Sequence, residues 1–218
     1  MDTPKNLPVL DETQIRVLGA LMEKCKTTPD YYPMTLNGLT AACNQKTSRK
    51  PVVQYDDSTV INALNSLKII GLIATATGGS IRNIKYKHNF AIAYPLVPAE
   101  VAVMCLLFLR GPQTPGEINT NAGRLYEFET LAEVQQVLDA LAAKEPAFIK
   151  TLERKPGQKE VRYRHLFDGD IPLLEEEYAS GGSNNGHQNS DLAARLTKVE
   201  EELATLKTAF DALMKELT

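Results

Sequence analysis

Three groups of side chains in this sequence have types and spacings suited to holding phosphates and reading base edges. Segment 44–51, Asn-Gln-Lys-Thr-Ser-Arg-Lys-Pro, sets Lys46, Arg49 and Lys50 among polar donors. Ser58, Asn62 and Asn65 follow at helical spacing, and an asparagine amide can make paired hydrogen bonds to adenine. Arg82, Lys85 and Lys87 then gather in a β-prone stretch. Cations of this kind neutralise phosphates and fix register, while amide side chains carry the sequence reading. Opposing this, Asp56 and Asp57 stand where they would repel phosphates, and the polar helix face holds no arginine, the commonest base reader. A solvated surface is the plain alternative.

Other chemistry is not suggested. The sequence has no G-x-S-x-G nucleophile context and no phosphate-cradling Walker spacing; Gly111 to Gly116 reads as a turn followed by a helix cap. The three cysteines, Cys25, Cys43 and Cys105, each fall in an apolar-periodic segment without a neighbouring ligand, so buried reduced thiols are expected. His88 and His165 occupy equivalent hairpin ends, which fits strand termini better than a metal site, and His187 lies in a polar stretch. The run Glu175-Glu176-Glu177 reads as a solvated segment. No enzyme activity, metal or cofactor is expected.

The candidate residues must be positioned by a helical scaffold. Asp11 is a helix N-cap followed by Ile15, Leu18, Leu21, Met22 and Cys25 on one stripe, ending before Thr28-Pro29. A second helix starts near Thr35, with Leu36, Leu39, Ala42 and Cys43 inward. A third follows Asp57, with Val60, Ala63, Leu64, Leu67 and Ile70 inward, and Gly71 stops it. Residues 73–88 are two β-prone runs around Gly78-Gly79, a hairpin pattern. The order recurs: a helix over 97–109 with Pro98 in its first turn, capping boxes at Thr114 to Glu117 and Thr130 to Glu133, and a hairpin with Pro156-Gly157 at its tip. The third helix of this half carries Val134, Val137, Leu138 and Leu141 inward and Glu133, Gln136 and Asp139 outward. Both hairpins end in Y-[KR]-H-x-F, Tyr86 to Phe90 and Tyr163 to Phe167, 77 residues apart, which points to duplication of one domain. The fold class expected is mainly α with small β-hairpins (α+β), as two tandem winged helix-turn-helix domains over 1–94 and 95–177.

A Gly/Ser/Asn-rich linker over 178–190 then leads to a helix over 191–218. Leu192, Leu196, Val199, Leu203, Leu206, Phe210, Leu213 and Leu217 alternate steps of four and three, the seam of a coiled coil. Pairing between chains would give a homodimer, and folding back onto the body is the alternative. The net charge of −3 hides an asymmetry: residues 1–95 hold 11 Lys/Arg against 7 Asp/Glu, while 96–177 hold 9 against 14. A polyanion would therefore meet the first half, and the acidic second half suits a protein partner. The apolar run 101–109 is nine residues, too short to span a bilayer, and the N-terminus lacks a signal pattern, so a cytoplasmic protein is expected.

Segments TTPDYYP (27–33), LTAACNQKTSRKPV (39–52), LLFLRGPQTPGE (106–117) and YRHLF (163–167) resemble the YceH family of bacterial proteins, over most of residues 9–170. The resemblance implies two winged-helix domains and little about activity. After ACNQK the family usually shows Asn-Arg and then an acid before Pro; Ser48, Arg49 and Lys50 stand there, so Lys50 reverses a charge. The reading is a DNA-binding regulatory homodimer acting through the first winged helix. The alternative is a protein-interaction adaptor without DNA binding, like the ScpB-like partners of chromosome-condensing complexes, which would use an apolar groove; the wholly apolar helix over 101–109 is one hint of it. Reversing Arg49→Glu with Lys50→Glu is expected to leave folding intact and remove DNA binding.

Overall fold

A computed structural model describes residues 6–77, 84–154 and 160–169. Gly78-Gly79, Arg82, Pro156-Gly157, the linker and the whole coiled-coil seam lie outside the described residues. The fold is α+β, with seven α-helices and two small antiparallel sheets among the described residues.

Local signals account for the helices. Helix α1 (Glu12–Thr27) begins with a capping box, in which the Asp11 carboxylate accepts from Gln14 N at 2.8 Å and Gln14 Oε1 accepts from Asp11 N at 3.2 Å. Strand β1 (Met34–Thr35) runs into α2 (Leu36–Cys43), capped by the Thr35 hydroxyl. Helix α3 (Asp57–Ile69) is capped by Asp56 and followed by Gly71 at φ 77, a conformation that glycine adopts without a Cβ penalty. Strands β2 (Ile73–Thr77) and β3 (Ile84–His88) form the hairpin, with β1 on the far side of β3. A short α4 (Phe90–Ala93) closes this half.

The second half repeats the plan: α5 (Pro98–Arg110), α6 (Pro115–Ala122), α7 (Leu131–Ala143), β4 (Ile149–Thr151) and β5 (Tyr163–His165). Helices α2 and α6 are both 8 residues long, and α3 and α7 both 13. Register matches too. Ile73 pairs with His88 and Thr75 with Tyr86 in one hairpin; Ile149 pairs with His165 and Thr151 with Tyr163 in the other. Met34 opposite Tyr86 has its counterpart in the bridge between Gln113 and Tyr163. At Thr114 the capping box is complete. At Thr130 only half forms, because the Glu133 carboxylate turns to Glu129 N and the Tyr126 hydroxyl at 2.9 and 3.0 Å instead of back to the cap.

Both halves belong to one compact unit with a shared core. Phe90 and Phe167, equivalent residues of the two repeats, are fully buried with centroids 5.5 Å apart, and Phe108 of α5 lies against both. Helix α1 packs on α5 so closely that a Cβ on Gly19 would come within 3.0 Å of Leu109 and Phe108 side-chain atoms. Backbone bonds join the halves as well: Leu10 N donates to Phe167 O at 2.6 Å and Lys50 N to Leu109 O at 2.8 Å. The apolar helix α5 is therefore covered along most of its length, with residues 102–109 buried. Helix α1 is likewise buried continuously over 15–22, Arg16 included, where a single inward stripe was expected.

Candidate nucleic-acid interface

The loop between α2 and α3 is tied at both ends. Asn44 makes paired hydrogen bonds with the Tyr55 backbone, Nδ2 to O at 2.7 Å and Oδ1 from N at 2.8 Å. Arg16 on α1 donates through Nη2 to Pro51 O at 2.6 Å, while its Nη1 is buried without a hydrogen-bond partner.

Within this loop the predicted cations part company. Ser48 takes φ 60, left-handed backbone rare for a non-glycine residue, and beyond it Arg49 points inward. Its side chain is 0% exposed. Nη1 and Nη2 grip the two Glu23 oxygens at 3.0 and 2.6 Å, and the remaining donors reach Ala42 O, Ser48 O and Gln45 Oε1. Arg49 is thus a structural cation and is not placed to meet a phosphate, which corrects its assignment to the surface. The physical reason is the bidentate match between guanidinium and carboxylate, which holds a buried charge only when all its donors are used. Burial alone would raise the Glu23 carboxyl, but the hydrogen bonds and charge of Arg49, with Lys24 behind them, bring its pKa below the ordinary value. Lys46 is exposed and faces the ends of α5 and α6, and Lys50 is half-buried.

Ser58, Asn62 and Asn65 all lie exposed on α3, on the side away from Val60, Ala63, Leu64 and Leu67. The Ser58 hydroxyl is already engaged, donating to Asp56 Oδ1 at 2.9 Å. Both aspartates at the helix start have local work. Asp56 accepts from Thr59 N at 2.8 Å, and hydrogen bonds from Thr59 first and Ser58 next hold its carboxyl below the usual range. Asp57 accepts from the Thr40 hydroxyl at 2.6 Å, fixing α3 to α2. The same outer face carries residues that the sequence reading passed over: Ile61, Lys68 and Ile69, the last 86% exposed. Isoleucines falling outside the inward spacing of α3 are the signal that would have found them.

Lys85 and Lys87 share one face of β3, opposite Ala76 and Ala74 of β2, while Tyr86 turns to the other face and packs on the core. Lys87 is exposed, whereas Lys85, which also pairs with Thr35 of β1, is half-buried. In the second half α7 exposes Gln136 and Asp139, an acidic and amide face. Cys43 and Cys105 are buried, and burial pushes the Cys43 thiol up to about 12, whereas Cys25 is only half-buried. His88 and His165 are held neutral by burial, each pushed down to about 4. Asp168 opposes this at His165, but at 3.7 Å from Nδ1 it is beyond hydrogen-bond reach and burial prevails.

Residues 10–158 match the family described as "Protein of unknown function, DUF480". The chain belongs to this family. YceH is another name for DUF480. A UPF0502 protein of Opitutus terrae is 49% identical over 174 residues, covering 79% of this chain and 76% of its own. UPF0502 proteins of Aliivibrio salmonicida and Pectobacterium carotovorum are 42% and 43% identical over 96% and 94% of this chain. The latter two alignments run over nearly the whole chain. In the structure, the two longest segments of the resemblance meet: the loop at Gln45 and Lys46 faces Leu109 and Arg110 across one cleft. No helix among the described residues is long and apolar enough to cross a membrane.

Proposed function

We propose that each repeat is a winged helix-turn-helix domain and that the protein is a non-enzymatic DNA-binding regulator acting through the first one. Helix α3 serves as the recognition helix, Asn62 and Asn65 meet base edges in the major groove, and Lys85 and Lys87 of the hairpin hold the backbone. The observation that carries the reading is the outer face of α3. Its two asparagines are exposed, and their side chains make no hydrogen bond among the described residues. Two chains paired through the seam at 191–218, each offering its first domain, would address a target with two half-sites.

Anisotropy of a labelled mixed-sequence duplex, measured with the full chain from low to physiological salt, tests this. Affinity should fall steeply with salt, and Lys85→Gln with Lys87→Gln should reduce the slope of log K against log salt by about 1 to 2. Absence of binding at low salt ends the DNA reading.

One observation favours the protein-adaptor alternative. Ile61 and Ile69 stand on the same face as the asparagines, and an exposed isoleucine pair suits a protein surface as well as thymine methyl groups. Under that reading Ile69→Asp abolishes capture of a partner protein while the chain shows no salt-dependent affinity for duplex.

A further inference from the structure

A cleft of about 690 Å³ opens between the end of α1, the loop at 45–48, the end of α5 and the end of α6. None of its lining belongs to α3 or the β2–β3 hairpin, so it is a surface separate from the proposed DNA face. Its volume falls within the roughly 300–1,000 Å³ of small-molecule sites.

Its charge is one-sided. Lys24, Lys46, Arg110 and Arg124 line it against a single carboxylate, Glu23. That carboxylate is already satisfied, by both terminal nitrogens of Arg49 and by Lys24 at 3.3 Å. Lys46, Arg110 and Arg124 make no hydrogen bond or ion pair among the described residues. Arg110 is half-buried with no hydrogen bond or close ion pair of its own among the described residues, and a guanidinium drawn out of water is poised to take an anionic partner. Burial brings its pKa below the ordinary value, with Glu23 opposing the shift and the charge of Arg49 adding to it. Exposed Thr47 and Ser48 add hydroxyl groups at the rim, and Leu109 and Leu125 add an apolar wall.

We infer that this cleft binds a small molecule carrying two or more linked phosphates, held by Arg110 and Arg124 from one wall and Lys46 from the other. Two guanidiniums and an ammonium around one volume match several oxyanions better than a single carboxylate ligand. Because Lys46 comes from the first repeat and the two arginines from the second, the ligand would bridge them. The site stands independently of whether α3 binds DNA.

Calorimetric titration of the full chain with inorganic pyrophosphate at low ionic strength is the test. One saturable site per chain is expected, weakened tenfold or more in Arg110→Gln with Arg124→Gln and unchanged in Lys85→Gln with Lys87→Gln. Should the Arg110 change disturb folding, Lys46→Gln with Arg124→Gln, both at exposed side chains, must show the same weakening. No saturable heat, or affinity within twofold of the parent in these cleft variants, overturns the inference. So does equal weakening by the hairpin variant. A labelled duplex supplies the last arm: if the cleft variants abolish duplex binding and pyrophosphate displaces the duplex, the cleft serves nucleic-acid phosphates and the small-ligand inference fails.

Discussion

Removing the Arg49 guanidinium should destabilise the fold and leave DNA affinity alone. In Arg49→Met the Glu23 carboxylate, with its side chain only 14% exposed, loses two charge-assisted hydrogen bonds, and Ala42 O loses both of its side-chain donors. Breaking a buried pair from one side costs about 3–5 kcal/mol. Lys24, 3.3 Å from Glu23, and the partial exposure of that carboxylate recover some of this, so about 3 kcal/mol is expected. Glu23→Gln leaves the better-buried partner charged and should cost at least as much. The double variant should cost less than the sum of the single changes by about 1–3 kcal/mol, because neither charge is then stranded. The chain has no tryptophan, so urea unfolding is best followed by helical circular dichroism. A single Arg49→Met variant within about 0.5 kcal/mol of the parent, or one that keeps its stability but loses salt-dependent duplex binding, would refute the reasoning. By the same logic Arg49→Glu with Lys50→Glu, once expected to fold normally, places a second carboxylate against Glu23 and confounds any binding measurement.

Stability should fall in acid before the carboxylates titrate. His88 and His165 are depressed to about 4 by burial, so their contribution is complete above the unfolded value near 6.5 and is lost as pH falls toward 4. Each accounts for roughly 2 kcal/mol between pH 7 and 5, and thermal melts across that range should flatten in His165→Gln. Gly19→Ala should destabilise by about 1–3 kcal/mol despite the better helix propensity of alanine, because the new methyl meets Leu109 and Phe108 at 3.0 Å; a raised melting temperature would contradict the close α1–α5 approach. Deleting residues 178–218 should convert a dimer to a monomer in sedimentation, and a truncated dimer would move the interface to the compact unit.

Elements with local causes were legible in the sequence. Asp11, Asp56 and Thr114 announce their helices within four residues, and the two Y-[KR]-H-x-F endings occupy matched registers because strand pairing fixes which side chains face inward. Features set by distant partners were not. Nothing near Arg49 says that Glu23, 26 residues earlier, will claim it, and a run of cations looks uniformly exposed until the backbone at Ser48 turns one of them in. Glu133 misled in the same way, since its pull toward Tyr126 comes from tertiary packing rather than the capping pattern. The cleft joins residues from 23 to 125 and has no signature in any one window.

The contact between Phe90 and Phe167 has a consequence for dissecting the molecule. If the two halves are copies of one domain, equivalent residues that touch each other mark a surface through which those copies would have met as separate chains. The fused chain replaces that bimolecular encounter with a tether of four residues, 94–97, so the second copy is always at high effective concentration. Each half can then present an apolar face to the other, and the buried aromatic residues Tyr94, Phe108 and Phe148 pack along that seam. A fragment cut at this tether would expose that patch and pair with itself. The smallest unit in which the proposed nucleic-acid face can be studied is therefore the pair.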